Sequence, residues 1–176
     1  MHTARLTSPI PVNLAELFHF PNPVNEVTTR VVAGTVAAGA WMTLGTRWPW
    51  LLPVIAYGFL ARVLTGPTLS PLGQLATRVV APRISSRVKP VAGPPKRFAQ
   101  GIGAVLSVAA TLLWLVAGLQ LAGLVLVAIL ASAATLESVF AFCIGCQTFD
   151  ILMRVGVVPP SVCEACNNLA LARPRS

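Results

Sequence analysis

The chain has 176 residues, of which 55% are hydrophobic and only 10% charged, with a mean hydropathy of +0.75. A soluble domain carries roughly 25% charged residues, so the composition excludes water as the solvent for most of this surface and allows one small domain. The net charge of +8 points to nucleic acid or a membrane. No soluble face interleaves exposed aromatics with basic residues, which leaves a bilayer with anionic headgroups and no nucleic acid.

Residues 1–26 form a proline-punctuated arm, broken by Pro9, Pro11, Pro21 and Pro23. It lacks the central apolar run of a signal peptide. Leu14, Leu17, Phe18 and Phe20 suit an arm draped on the membrane interface or on the protein. His2 and His19 are not near the cysteines in sequence, and His19, between Phe18 and Phe20, reads as a packing residue.

The first apolar stretch covers about 27–45 and the second about 48–66. A helix crossing ~30 Å of hydrocarbon at about 1.5 Å per residue needs about 20 residues. Both stretches reach that length only if Arg30 and Arg62 snorkel to the headgroups at their ends. The Thr46-Arg47-Trp48-Pro49 break reads as a tight turn, with a re-entrant hairpin as the alternative.

A basic loop, 67–97, follows, with Arg78, Arg83, Arg87, Lys89, Lys96 and Arg97 and no acidic residue. Ser70-Pro71 is a helix start, with Ser as N-cap and Pro in the first turn. Leu72, Leu75, Val79 and Val80 then share one face, which predicts an amphipathic helix lying in the interface. A loop this rich in lysine and arginine stays in the cytoplasm, and an even number of spans puts both termini there.

The third and fourth spans, about 98–119 and 121–142, are joined by the uncharged Gly118-Leu119-Gln120 turn. Small residues recur four apart: Gly34 with Ala38, Gly103 with Ser107 and Thr111, Ala128 with Ser132. That spacing lets helices approach closely in lipid. Trp41, Trp48, Trp50 and Trp114 map toward the outer half, as an aromatic belt would. Glu137 lies within the fourth span, where an ionisable group marks a functional position. It predicts either an intramembrane ion pair with Arg30 or Arg62 or a proton relay beside the cysteines.

All four cysteines fall in C-x2-C-x16-C-x2-C, from Cys143 and Cys146 to Cys163 and Cys166 in the tail, 147–176. The spacing fits a four-thiolate zinc or iron site, with each pair offering two sulfurs from one helix face. It equally fits thiol–disulfide chemistry, since cytoplasmic CxxC pairs are more often redox-active or metal-binding than structural disulfides. Four inert buried thiols are the bland reading. Cys143 and Cys146 are placed at the end of a long helix, where the dipole disfavours a thiolate. Cys163 follows Pro159-Pro160-Ser161, with Ser161 and Glu164 forming a capping box. A redox reading therefore takes Cys163 as nucleophile, Cys166 as resolving thiol and Cys143–Cys146 as relay.

The expected fold is an all-α integral membrane protein. It has four transmembrane helices as two hairpins, an interfacial helix between them and a short cytoplasmic helical tail. At the Asn25-Glu26…Arg30 segment, at Pro95-Lys96-Arg97-Phe98-Ala99 and at Phe142-Cys143-Ile144-Gly145-Cys146, the chain resembles the bacterial integral membrane family of domain of unknown function 4395. The resemblance runs from about Pro23 to Asn168, and the second CxxC is similar to that of actinobacterial members. The family carries no assigned activity. Its members are often encoded beside thioredoxin-like proteins and sulfurtransferases, which implies thiol or sulfur handling with such a partner. The leading expectation is thiol–disulfide redox or sulfur relay at the cytoplasmic face of the bacterial inner membrane. The alternative is a non-catalytic membrane subunit whose four cysteines hold zinc or iron. A small transporter finds support only in Glu137.

Overall fold

The computed structural model describes residues 24–66, 69–80, 83 and 90–159. Residues 1–23 of the proline-punctuated arm, with His2 and His19, the basic positions Arg87 and Lys89, and the tail pair Cys163–Cys166 with Ser161 and Glu164 lie outside the described residues.

The chain is mostly helical. Asn25 starts α1 (Glu26–Thr46) by accepting a hydrogen bond from the Val27 N–H at 3.1 Å, and Glu26 complements the positive helix end. Helix α1 stops at Arg47, whose φ of 54° is left-handed. A turn through Pro49, where the Leu52 N–H donates to the Pro49 carbonyl at 3.0 Å, leads into α2 (Leu51–Thr65). Ser70 then caps the short α3 (Pro71–Leu75), its Oγ accepting from the Gly73 N–H at 3.2 Å with Pro71 in the first turn, as the sequence predicts. A π-helical turn, Ala76–Val80, extends it. Gly73 and Ala76 are buried while Leu75 and Val79 are exposed, so the small residues pack inward and part of the predicted apolar face looks outward.

Helix α4 (Gly93–Thr111) continues through a π-helical turn, Leu112–Val116. Gly118, at φ +70°, reverses the chain into α5 (Gln120–Phe140). A shorter α6 (Ile144–Arg154) follows. Two two-residue strands, β1 (Val24–Asn25) and β2 (Pro90–Val91), pair antiparallel and tie the start of α1 to the start of α4.

Two helices, Gly93–Val116 and Gln120–Phe140, are long and apolar enough to cross a membrane; α2 is apolar but has 15 residues. Several expected boundaries move. Helix α2 begins at Leu51 rather than near Trp48 because Pro49 belongs to the turn. Helix α4 begins at Gly93, well before Phe98, because Pro94 and Pro95 sit where first-turn N–H groups would be unsatisfied anyway. Lys96 and Arg97 are thereby helical, not loop residues. Helix α5 ends at Phe140 rather than Phe142, since Ala141 adopts φ 56°.

The extensive contacts join α1 to α5 and α2 to α4, whereas consecutive α1 and α2 meet less. Glycines allow these approaches: Gly34 faces Ser138, and Gly103 lies under the Phe59 ring where no Cβ would fit. Ser107, beside Gly103 on the same face, is fully buried, but Ala38 and Ser132 are exposed. Two apolar clusters fill the interior, one around Val36, Ile55, Phe59 and Leu130 and the other around Leu52 and Val127. Arginines close the helix ends. Arg30 donates to the carbonyls of Ser138 and Val139 at the end of α5, both at 3.0 Å, and Arg97 donates to the Val63 carbonyl at the end of α2. Trp41, Trp48 and Trp50 are exposed, and Trp114 packs half-buried against the second cluster.

Candidate functional site

Helix α5 ends abruptly. Ala141 turns left-handed, the Phe142 N–H reaches back to the Leu136 carbonyl at 3.2 Å, and Cys143 becomes extended at φ −98°, ψ 105°. Cys143 is therefore the N-cap of α6, and Cys146 stands in its first turn. The expectation that these two cysteines end a long helix is corrected. The left-handed residue separates them from α5, so they face the positive end of a helix dipole rather than the negative one.

Gly145, between the two cysteines, sets the position of α6. A Cβ there would come within 2.6 Å of the Ala99 Cα, so only glycine lets α6 lie this close to α4. Phe149 then meets Phe98, with ring centroids 5.6 Å apart and tilted by 56°. This contact sets the first turns of α4 beneath the cysteines, and Lys96 comes with them.

Lys96 is 9% exposed and its Nζ lies 2.6 Å from Glu137 Oε1. The ion pair expected for Glu137 with Arg30 or Arg62 is made with Lys96 instead. Arg30 is committed to the end of α5, and Arg62 lies over the Phe59 ring at 4.8 Å with its Nη1 donating to Ser70 Oγ at 3.5 Å. Arg62 is 4% exposed and does not snorkel. Sequence reasoning missed Lys96 by placing it in the loop; the Pro94-Pro95 pair was the signal that α4 begins earlier.

The two thiols are free and differ in environment. The Cys146 thiol, directed at Cys143, holds the Cys143 thiol below its ordinary value. Burial and the Glu137 carboxylate oppose that shift, and the Lys96 ammonium assists it. Cys146 is pushed well above the ordinary value, first by sharing its proton with Cys143 and then by burial. Cys143 is thus the thiol of the pair that gives up its proton more readily, and Cys146 the one that holds it. Lys96 also pairs with Glu137, so one ammonium stands beside both the carboxylate and the Cys143 thiol.

Among the described residues, no three His, Cys, Asp or Glu side chains come together as a metal-binding group. Cys143 and Cys146 can supply two sulfurs from one helix start, and the other predicted ligands, Cys163 and Cys166, lie outside the described residues. Residues 24–154 match the model of a family described as domain of unknown function (DUF4395). The chain belongs to that family. In this DUF4395 chain the match ends earlier than the expected Asn168. It contains Lys96, Glu137, Cys143 and Cys146 and stops short of Cys163 and Cys166. No curated protein and no solved structure matches the chain.

Proposed function

We propose that this DUF4395 protein is a multi-pass inner-membrane thiol protein whose Cys143–Cys146 pair exchanges disulfides at the cytoplasmic face. The observation that carries the reading is the position of Cys143, at the N-cap of α6 with Cys146 in the first turn and Lys96 beneath. A thiolate is the attacking species in such exchange, and helix starts and ammonium groups favour it. The two long apolar helices, α4 and α5, cross the bilayer, and α1 and α2 complete a four-span bundle with both termini cytoplasmic. The basic residues of 67–97 hold the inner side.

In the exchange, the Cys143 thiolate attacks one sulfur of a disulfide on a soluble thioredoxin-like partner. A sulfur–sulfur bond forms to Cys143, and the partner's other sulfur leaves as a thiolate. Cys146 gives up its proton and attacks the Cys143 sulfur of the mixed disulfide. The second partner thiolate leaves and takes up that proton. The partner has been reduced by two electrons, and Cys143–Cys146 has been oxidised to a disulfide. The reverse sequence oxidises the partner. This assignment moves the nucleophile's role from Cys163 to Cys143 and leaves Cys163–Cys166 as the pair that restores it. A persulfide-carrying sulfurtransferase would be attacked at its outer sulfur: a sulfur–sulfur bond forms to Cys143, which then carries the persulfide, and the sulfurtransferase thiolate leaves. The second reading, a non-catalytic subunit with zinc or iron on four thiolates, is favoured by the C-x2-C-x16-C-x2-C spacing.

Trapping tests the exchange. Cys146→Ser should accumulate a mixed disulfide between Cys143 and a thioredoxin-like partner, and Cys143→Ser should accumulate none through this pair. Equal trapping by both variants, or by neither, would remove the reading.

A further inference from the structure

Between the α1–α5 pair and the α2–α4 pair the helices line an open-sided cavity of about 770 Å³, within the ~300–1,000 Å³ range of small-molecule sites. Most of its wall is apolar, formed by residues such as Val32, Val36, Leu106, Val125, Ile129 and Leu130. Thr28, Arg62, Lys96, Gln100 and Glu137 also line it.

Among the described residues, four buried side-chain polar atoms lack a hydrogen-bond partner: Thr28 Oγ1, Arg62 Nε, Arg62 Nη2 and Gln100 Oε1. All three residues line this one cavity. Arg62 is 4% and Thr28 8% exposed, so water at the protein surface does not satisfy them. Nε and Nη2 form one edge of the guanidinium, and that edge matches two oxygens of a carboxylate or phosphate in a bidentate contact. The remaining nitrogen already faces Ser70. Glu137 is held by Lys96 at 2.6 Å. Lys96 is engaged by Glu137 and stands beside Cys143, whereas the Nε/Nη2 edge of Arg62 has no hydrogen-bond partner among the described residues, and a buried guanidinium without an anion is costly.

We infer that the cavity is a binding site for an amphiphile with an oxyanionic head and a single aliphatic tail. The head occupies the Nε/Nη2 edge of Arg62, and the tail lies along the apolar wall. The Thr28 hydroxyl donates to the head, and the Gln100 amide meets an oxygen or a hydroxyl of it according to which end is turned inward. The bilayer supplies such molecules, so the inference rests on the membrane reading above but not on the disulfide exchange.

The test is equilibrium binding to the full chain purified in a neutral detergent. The probes are palmitate, monohexadecyl phosphate and, as the uncharged match, hexadecanol. At least one anionic probe should bind saturably at one per chain, and hexadecanol should bind about tenfold more weakly or worse. The tighter of the two anions identifies the head as carboxylate or phosphate. Arg62→Lys keeps the charge but loses the paired edge and should weaken binding about tenfold. Ala128→Phe, which fills the tail region without touching Arg62, should weaken it as well and decides the matter if the first variant does not fold. Cys146→Ser should bind normally while failing in disulfide exchange, so the two readings can fail separately. Equal binding of hexadecanol, unchanged binding in the folded variants, or no binding by any probe would overturn the proposal.

Discussion

Cys143 and Cys146 are chemically identical, and their neighbours make them different. The Lys96 ammonium favours the Cys143 thiolate and the Glu137 carboxylate disfavours it. Lys96→Met should therefore move the pH midpoint of Cys143 alkylation upward, and Glu137→Gln should move it downward. Movement of both in the same direction would contradict the placement of these charges. The pair also bears on stability, with side-chain exposures of 11% and 21%. Breaking one side of a buried pair costs ~3–5 kcal/mol in soluble proteins. Each single variant should lower the thermal midpoint by about that much stability, and the double variant by less than the sum; strict additivity would mean the contact contributes nothing. That Glu137 needs a cationic partner was legible in the sequence, because a carboxylate in an apolar run is costly wherever it sits. Its partner was not legible, since three cations were available and only the true start of α4 selects Lys96.

At the scale of elements, the site depends on how closely α6 lies on α4. Gly145→Ala would bring a methyl group to within 2.6 Å of the Ala99 Cα, and overpacking of this kind costs ~1–3 kcal/mol. The variant should melt earlier, and its Cys143 midpoint should rise as the helix start moves away from Lys96. Gly101 provides the contrast, since a Cβ there meets nothing within 4 Å. Gly101→Ala, inside α4, should stabilise by about 0.5–1 kcal/mol through helix propensity alone; a loss there would show that a methyl at this position meets something the helix packing leaves out. Hydropathy marked the long apolar helices and Ser70-Pro71 marked α3, because local chemistry decides both. The reversal at Ala141 was not legible, because alanine carries no signal for a left-handed conformation; it accompanies the close approach of Gly145 to Ala99. That one turn inverted the predicted electrostatics of Cys143.

Across the whole molecule, the sequence pattern indicated helical pieces but not their pairing. Tight turns join α1 to α2 and α4 to α5, yet α1 packs chiefly on α5 and α2 chiefly on α4, and α1 and α2 meet little. Helix periodicity cannot express that choice, which depends on Gly34 meeting Ser138 and Gly103 meeting Phe59. In the proposed orientation a cysteine placed at Arg87 should react with an impermeant probe only from the cytosol. Labelling from outside intact cells would reverse the topology and put the cysteines in an oxidising compartment. The central claim, that Cys143 is a reactive thiolate rather than one of four equivalent metal ligands, is tested most directly by site-resolved alkylation. The reduced full chain is treated with iodoacetamide across a pH series, and each cysteine peptide is quantified by mass spectrometry. Cys143 should react first, with a midpoint below the ~8.5 of a free thiol, while Cys146 stays slow to the highest pH. Cys143 reacting no faster than Cys146, or all four cysteines protected alike until a chelator is added, would contradict it.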